Sequence, residues 1–377
     1  MRAGTAGGRA FPLSSPRQPA SWHGLSEMPA APSALIPAPR PAEAWAWLDG
    51  GKAGLFSAAG PFVRTSAPPE GKTAFYVNDF ALSDPAPWRI ASSDAQPVHR
   101  DAAPPVITWS EPSLEEFRAV FDELMEVVRS REILKAVPVA AAAGRVKSGN
   151  LAAWMRWALR RPQGEAQGLS FAWMDGDAGF GGFTPEILFQ LDGCRLTTMA
   201  LAGTTDAAHA AELIERPKLG REHSVVVDEL QRRLCSLGEV RTGKREVVRQ
   251  GNIRHLCTSL EVTLAKSPAG ESLNDIIRLL HPTPALGISP RTDASTRLLT
   301  RCRQRMNTPA MFGAPFGVAW PGGALFVVAI RGVFWQGDHI SLPAGGGLVA
   351  GSEFDAEWAE LELKRAWVRR ALGLEMS

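Results

Sequence analysis

Between Leu325 and Leu342 the chain reads as strand, turn, strand. Leu325–Val333 is an apolar run, His339–Leu342 is a second, and only Gln336-Gly337-Asp338 makes the turn between them. So short a connection joins strands only antiparallel, because a parallel pair needs a crossover of about a dozen residues or more. The pattern recurs upstream. Val240–Thr263 alternates enough for two strands, and Ser170–Met174 and Glu186–Leu191 read as a strand pair around the Gly-rich Gly176–Gly182. Ile133–Val139 reads as a strand with Lys135 inside it. Helices are expected elsewhere. Ser113 and Glu116 form a capping box ahead of Leu114, Phe117, Phe121, Leu124, Met125 and Val128 at helical spacing. Asn150–Arg160, Val225–Leu237, Leu273–Leu280, Thr292–Arg303 and Asp355–Leu372 carry the same periodicity. Helices and hairpins in clusters predict an α+β fold with antiparallel sheets and argue against a doubly wound βαβ sheet.

Composition narrows the function. Apolar residues make up 45% of 377, enough for a sizeable core. A formal charge of +2, with no basic block, argues against nucleic acid as a partner. No apolar run approaches the roughly 18 residues of a membrane span, so no membrane partner is expected. Cys194, Cys235, Cys257 and Cys302 lack metal-ligand spacing and read as reduced thiols of a cytoplasmic protein. Residues 1–43 are rich in Ala, Pro and Gly and read as a disordered segment; the absence of helical periodicity disfavours a transit peptide, and Met28 is an alternative start. From Ala44 to about Arg100, short apolar runs broken by Gly and Pro read as a small N-terminal layer of strands.

Several segments hold residues suited to chemistry. Ala344-Gly345-Gly346-Gly347-Leu348-Val349 lets backbone approach an anion. The helix after it places Glu357, Glu360 and Lys364 on one face. Two such carboxylates can hold a hard cation such as Mg2+, although alone they read more readily as an exposed charged face. Glu222, in Lys218–His223, can add a carboxylate, or simply be an acid favoured in a first helical turn. Lys135, among apolar neighbours, can act as a base, or point to water from an edge strand. Glu186 follows Pro185 and can act as a protonated acid. Gly203 and Thr204 can meet an anion. Arg331, within the apolar Val327–Val333, calls for an anionic partner, for which a carboxylate is the natural one. His255 can hydrogen-bond a ligand, though alone it reads as a satisfied core histidine.

Taken in order, these segments resemble the chorismate-utilising enzymes, a family that includes isochorismate and salicylate synthases and the large subunits of anthranilate and aminodeoxychorismate synthases. The matching stretches are Ile133–Val137, Gly182–Glu186, Leu201–Thr204, Lys218–His223, Ile253–Ser259, His281–Leu286, Phe312–Gly317, Val327–Arg331, Ala344–Val349 and Glu357–Lys364. The resemblance runs from about residue 113 to 377. It implies one large α+β domain over 44–377, with two stacked antiparallel sheets flanked by helices.

The resemblance also implies roles. Glu222 and Glu360 would bind Mg2+, with Glu357 close by. Arg331, the Gly346–Gly347 backbone and Lys364 would hold the carboxylates of chorismate. Gly203, Thr204, His255, Ala285 and Leu286 would line the pocket. Lys135 would be the base for water attacking C2 and Glu186 the acid for the departing C4 hydroxyl. Water-using relatives have a lysine where Lys135 stands, and salicylate synthases usually have threonine where Ala285 stands. The expected activity is therefore that of an isochorismate synthase. A salicylate synthase, an ammonia-using relative and a non-catalytic chorismate-binding protein are the alternatives. Water as nucleophile makes an amidotransferase subunit unneeded, and the family implies a monomer. The chain departs from the family at Phe183, Thr184, Gly287–Pro290 and Pro343 and in lacking an Arg-rich continuation after Thr204; every candidate catalytic side chain is retained.

Overall fold

A computed structural model describes residues 44–92, 101–160, 168–208, 213 and 215–375. The expected disordered segment 1–43 lies outside them. The chain opens with five short strands, β1 (Trp45–Asp49), β2 (Leu55–Ala59), β3 (Phe62–Thr65), β4 (Ala74–Val77) and β5 (Trp88–Ala91). Then come β6 (Val106–Ser110), helix α1 (Leu114–Arg129), the two-residue β7 (Lys135–Ala136), β8 (Val139–Ser148) and α2 (Leu151–Arg160). Four strands follow: β9 (Leu169–Asp175), β10 (Ala178–Thr184), β11 (Ile187–Asp192) and β12 (Arg195–Asp206). After α3 (Pro217–Leu234) the chain runs β13 (Val240–Gln250), β14 (Ile253–Thr263), α4 (Glu271–Leu280), β15 (Ile288–Ser289) and α5 (Asp293–Arg305). It closes with β16 (Pro315–Trp320), β17 (Gly323–Val328), β18 (Gly332–Gln336), β19 (His339–Gly345) and α6 (Phe354–Leu372).

Two large antiparallel sheets result. One has eight strands in the order β2-β1-β9-β10-β18-β19-β8-β6, the other nine in the order β13-β14-β12-β11-β17-β16-β4-β5-β3. Alternation along β1 shows how the sheets are buried. Ala46 and Leu48 face the core shared with the nine-stranded sheet. Trp45 and Trp47 point the other way, into the cluster formed with Trp154 and Met155 of α2 and Trp367 and Val368 of α6. Rings join the sheets: Phe171 and Phe180 of one lie 6.1 and 5.5 Å from Phe316 of the other. α3 lies along β12 and β14. The Ser113 hydroxyl caps α1 by accepting from the Glu116 N–H at 3.2 Å.

Three expectations are corrected. The strands before residue 100 are no separate layer: β1 and β2 join the first sheet and β3, β4 and β5 the second. The Gly-rich stretch does not link β9 to β11: after a turn at Gly176 and Asp177 it becomes β10, which pairs with β9, while β11 belongs to the other sheet. Its glycines conceal the strand because they serve close approach, not side-chain packing. A Cβ on Gly179 would lie 2.4 Å from the Trp335 ring, and one on Gly182 would lie 2.3 Å from the Arg331 carbonyl oxygen. Nor is Leu325–Val333 one strand. β17 ends at Val328 in the nine-stranded sheet and β18 starts at Gly332 in the eight-stranded one. The residues between carry the chain from sheet to sheet.

Phe326 is fully buried, with its ring 4.7 Å from Phe189, 5.5 Å from Tyr76 and 5.9 Å from Trp88. Phe326→Ala is expected to destabilise the fold by about 3–5 kcal/mol, read as a lower urea midpoint.

Candidate active site

Arg331 sits at the switch between the sheets with φ of 56°, a left-handed conformation that a non-glycine residue adopts only where its surroundings enforce it. Its side chain enters a partly enclosed cavity with about 550 Å3 between its walls. Of the residues singled out from the sequence, Glu186, Gly203, Thr204, Glu222, His255, Ala285, Leu286, Arg331, Gly347 and Lys364 line this cavity. Lys135, Gly346, Glu357 and Glu360 are not in its wall; Lys135 and Glu360 are bonded to residues that are, Gly346 lies between two of them in the chain, and Glu357 stands one step further out. Lys135 Nζ donates to Glu222 Oε1 at 2.9 Å. Lys364 Nζ bonds Glu360 Oε1 at 2.6 Å and the Gly345 carbonyl at 2.7 Å. Lys218 pairs with Glu357. A Cβ on Gly346 would lie 3.6 Å from Glu357 Oε2.

Local sequence explains the convergence. Helical spacing puts Glu357, Glu360 and Lys364 on the same face of α6, and that face is turned inward: Glu357 is 1% exposed and Lys364 9%. The plainer reading of an exposed charged face is thereby excluded. Glu222 is also buried, and it lies in the second turn of α3, beyond the first turn where acids serve the helix end. Lys135 is 1% exposed, so the edge-strand reading fails as well. Gly203 takes φ of 74° and makes a bulge in β12 between Ala202 and Thr204, aiming Thr204 into the cavity.

Burial sets the electrostatics. It pushes the Glu186 carboxyl up to about 7, against the Thr283 hydroxyl and the charges of Lys135, Lys364 and Arg331. The Thr283 hydroxyl donates to Glu186 Oε1 at 3.0 Å. Burial, then the nearby Glu360, also raises Glu357, while Lys218 opposes them. Burial acts the same way on Glu360, but Lys364, Lys218 and Thr204 together hold it below the usual range. His255 is held well below its ordinary value by burial, Arg331 and Lys364, so it is neutral. Burial lowers Arg331 to about 10, which leaves it charged near neutrality. Arg331 Nη2 meets His255 Nε2 at 3.3 Å. Arginine only donates, so Nε2 accepts and Nδ1 carries the proton, directed at Thr204 Oγ1 3.2 Å away. Arg331 Nη1 is buried with no hydrogen-bond partner, a donor suited to an anion.

Some lining residues went unassigned in the sequence. Pro343, Phe312 and Ile330 supply apolar wall. Lys218 neutralises Glu357, and Thr283 holds Glu186 across 97 positions of chain. No local signal links Thr283 to Glu186. A wider cleft of about 1270 Å3, between Trp173, Phe180, Phe334 and Met311, is mainly apolar and gathers no comparable set of charges.

A family model described as chorismate binding enzyme matches residues 86–373. The salicylate biosynthesis isochorismate synthase of Pseudomonas aeruginosa is 33% identical over 228 residues, which take in 57% of this chain and 46% of that protein. The chain spans about half the length of the curated relatives it matches. Its fold is similar to that of MenF, the menaquinone-specific isochorismate synthase from Escherichia coli (TM-score 0.72, 20% identity, covering 89% of this chain and 90% of that one). It is similar too to anthranilate synthase component I from Streptococcus pneumoniae (TM-score 0.64, 14% identity, covering 91% and 95%).

A carboxyl raised by burial stabilises the fold only while protonated. That contribution is complete below its unfolded value near 4.5 and is lost as pH rises through about 7. Relative to the parent, Glu186→Gln is expected to gain roughly 3 kcal/mol between pH 4.5 and 8, by urea unfolding at a series of pH values.

Proposed function

Since the chain belongs to the chorismate-binding enzyme family, we propose that it is an isochorismate synthase, converting chorismate to isochorismate with Mg2+, residues 44–377 being the catalytic domain. One observation carries this reading: a buried lysine and a buried, protonatable acid are disposed about one cavity whose wall also holds a buried arginine with a free donor.

The donor set fits Mg2+. Glu222 and Glu360 would hold it, with Glu357 close by; all are hard oxygen ligands. Gly347 leaves room beside them, for a Cβ there would meet Glu222 Oε1 at 2.1 Å and Lys135 Cε at 2.8 Å. Among the described residues no three acid, histidine or cysteine side chains form a ready metal-binding group. A cation that keeps waters and takes substrate oxygens needs only one or two carboxylates from the protein. Bound there, Mg2+ supplies positive charge for the ring carboxylate.

The chain's own residues do the rest. Arg331 Nη1, Lys364 and the backbone at Gly347 hold the substrate carboxylates, while the expected part of Gly346 is limited by its N–H, which donates to the Pro138 carbonyl at 3.3 Å. His255 and Thr204 fix Arg331 and meet the substrate as neutral groups. Ala285 and Leu286 shape the apolar side. Lys135, as the neutral amine once its own proton has passed to solvent, takes a proton from water as the water oxygen bonds to C2. The ring double bond shifts, and Glu186 gives its proton to the C4 hydroxyl, which leaves as water. One water enters and one departs, so the product is an isomer. The absence of a side chain at Gly347 gives Lys135 its path to the cavity. With water as nucleophile the enzyme needs no amidotransferase subunit, and we take it to act as a monomer.

Incubation of the purified protein with chorismate and Mg2+, with the products separated, should give isochorismate alone. Salicylate with pyruvate, or an aminated product on adding ammonium, would overturn this assignment. Lys135→Gln and Glu186→Gln should each lower kcat at least about 100-fold while chorismate binding stays measurable. The acid must be protonated in the forward direction, so kcat/KM should fall as pH rises through about 7; a flat kcat/KM profile from pH 6 to 8.5 would contradict the role of Glu186.

A further inference from the structure

Glu186 lies on the link between β10 and β11, where little of its own local chain fixes the carboxyl. Its N–H bonds the Thr184 hydroxyl at 3.2 Å, but the carboxyl is met from another part of the fold. Thr283, 3% exposed, donates to Oε1 at 3.0 Å. Thr283 in turn sits in a turn just beyond α4, closed by Leu286 and Gly287 N–H groups that donate to its carbonyl at 3.1 and 2.8 Å.

That turn is fastened from outside. Arg233, buried on α3, sends Nη1 to the carbonyls of Pro282, Leu280 and Leu279 at 2.8, 3.1 and 3.4 Å, and its Nε is held by Glu229 Oε1 at 3.0 Å. Arg291 Nη1 donates to the His281 carbonyl at 2.6 Å. The carbonyls at the C-terminal end of a helix need donors, which accounts for Leu279 and Leu280. It does not account for Pro282, which lies past the helix, takes the shortest of the three bonds and adjoins Thr283.

We propose that Thr283 and Arg233 are positioning residues for the catalytic acid: the Thr283 hydroxyl holds the Glu186 carboxyl toward the cavity, and Arg233 fixes the turn that carries Thr283. The inference rests on Glu186 being the acid of the proposed reaction. It has a consequence for α3. That helix carries Glu222 near one end and Arg233 eleven residues on, roughly 16 Å along its axis. One rigid helix thus sets the ion-binding acid and the support of the proton-donating acid in a fixed relation.

The Thr283 hydroxyl favours the ionised carboxylate, so its loss should raise the Glu186 midpoint. The other charged or titratable groups that bear on Glu186 are Lys135 on β7, Lys364 on α6, Arg331 between β17 and β18 and the Cys257 thiol on β14, and the test leaves all four in place. The full chain, carrying 13C at the glutamate carboxyl carbons, is titrated by NMR, with Glu186→Gln assigning the resonance. Thr283→Val should raise the midpoint by about one pH unit, move the alkaline limb of kcat/KM upward with it and lower kcat about tenfold with KM unchanged. Thr283→Ser should restore all three. Arg233→Lys keeps the charge but cannot span three carbonyls. It should raise the midpoint part of the way, and add nothing in the Thr283→Val background. If Arg233→Lys does not fold, Glu229→Gln, which loosens Arg233, should give the same sign. An unmoved midpoint in Thr283→Val overturns the proposal, as does an Arg233→Lys (or Glu229→Gln) shift that adds in full to that of Thr283→Val. Full turnover by Glu186→Gln would instead remove the acid assignment, while the NMR midpoints would still decide whether these residues hold the carboxyl.

Discussion

A carboxylate or ammonium taken out of water costs several kcal/mol unless an opposite charge meets it, and this fold takes a group of them into one region. Lys135 with Glu222, Lys364 with Glu360 and Lys218 with Glu357 are each matched. Two buried groups are not matched in this way. Glu186 has the neutral Thr283 hydroxyl as its hydrogen-bond partner, the charges of Lys135, Lys364 and Arg331 act on it without a direct ion pair, and burial leaves it protonatable near neutrality. Arg331 has neutral His255 as its hydrogen-bond partner and the Trp367 ring 5.8 Å away, and one of its donors is free. The groups lacking a direct counter-charge are the two best placed to give up a proton and to receive an anion.

How much of this was legible in the sequence depended on the reach of each signal. Helical spacing within α6 and the short turn before His339 are local, and both elements formed as expected, over Phe354–Leu372 and as the β18–β19 hairpin. The inward turn of the α6 face was not legible, since it depends on which sheet the helix meets. β10 was hidden because its glycines, chosen for backbone approach, remove the alternation by which strands are recognised. The sheet switch before Gly332 was hidden for the opposite reason. Ala329 and Ile330 continue the apolar character of β17, so the change of direction leaves no mark on the pattern. Thr283 has meaning only through contact with Glu186.

Backbone geometry explains why the switch occurs where it does. Gly182 and Gly332 face each other across β10 and β18, and a Cβ on Gly332 would lie 2.3 Å from the Gly181 carbonyl oxygen. That approach holds the Arg331 backbone against β10, and the Phe183 N–H donates to the Arg331 carbonyl at 3.1 Å. With its peptide so fixed, Arg331 takes its left-handed conformation and its guanidinium is aimed between the sheets. The strain is confined to one residue and is held by strands on both sides.

The same charge balance bears on ligand order in the proposed reaction. The free site is already near neutrality through its lysine–glutamate pairs. A divalent cation alone would add two positive charges to a buried region, and a dicarboxylate alone would add two negative ones. Either is opposed by the desolvation cost that shaped the site. Together they add no net charge. Lys364, freed from Glu360 by such a cation, would remain beside the cavity as a partner for a carboxylate, so each ligand would create the counter-charge the other needs. In the proposed reaction, binding of the two would then be coupled through their charges.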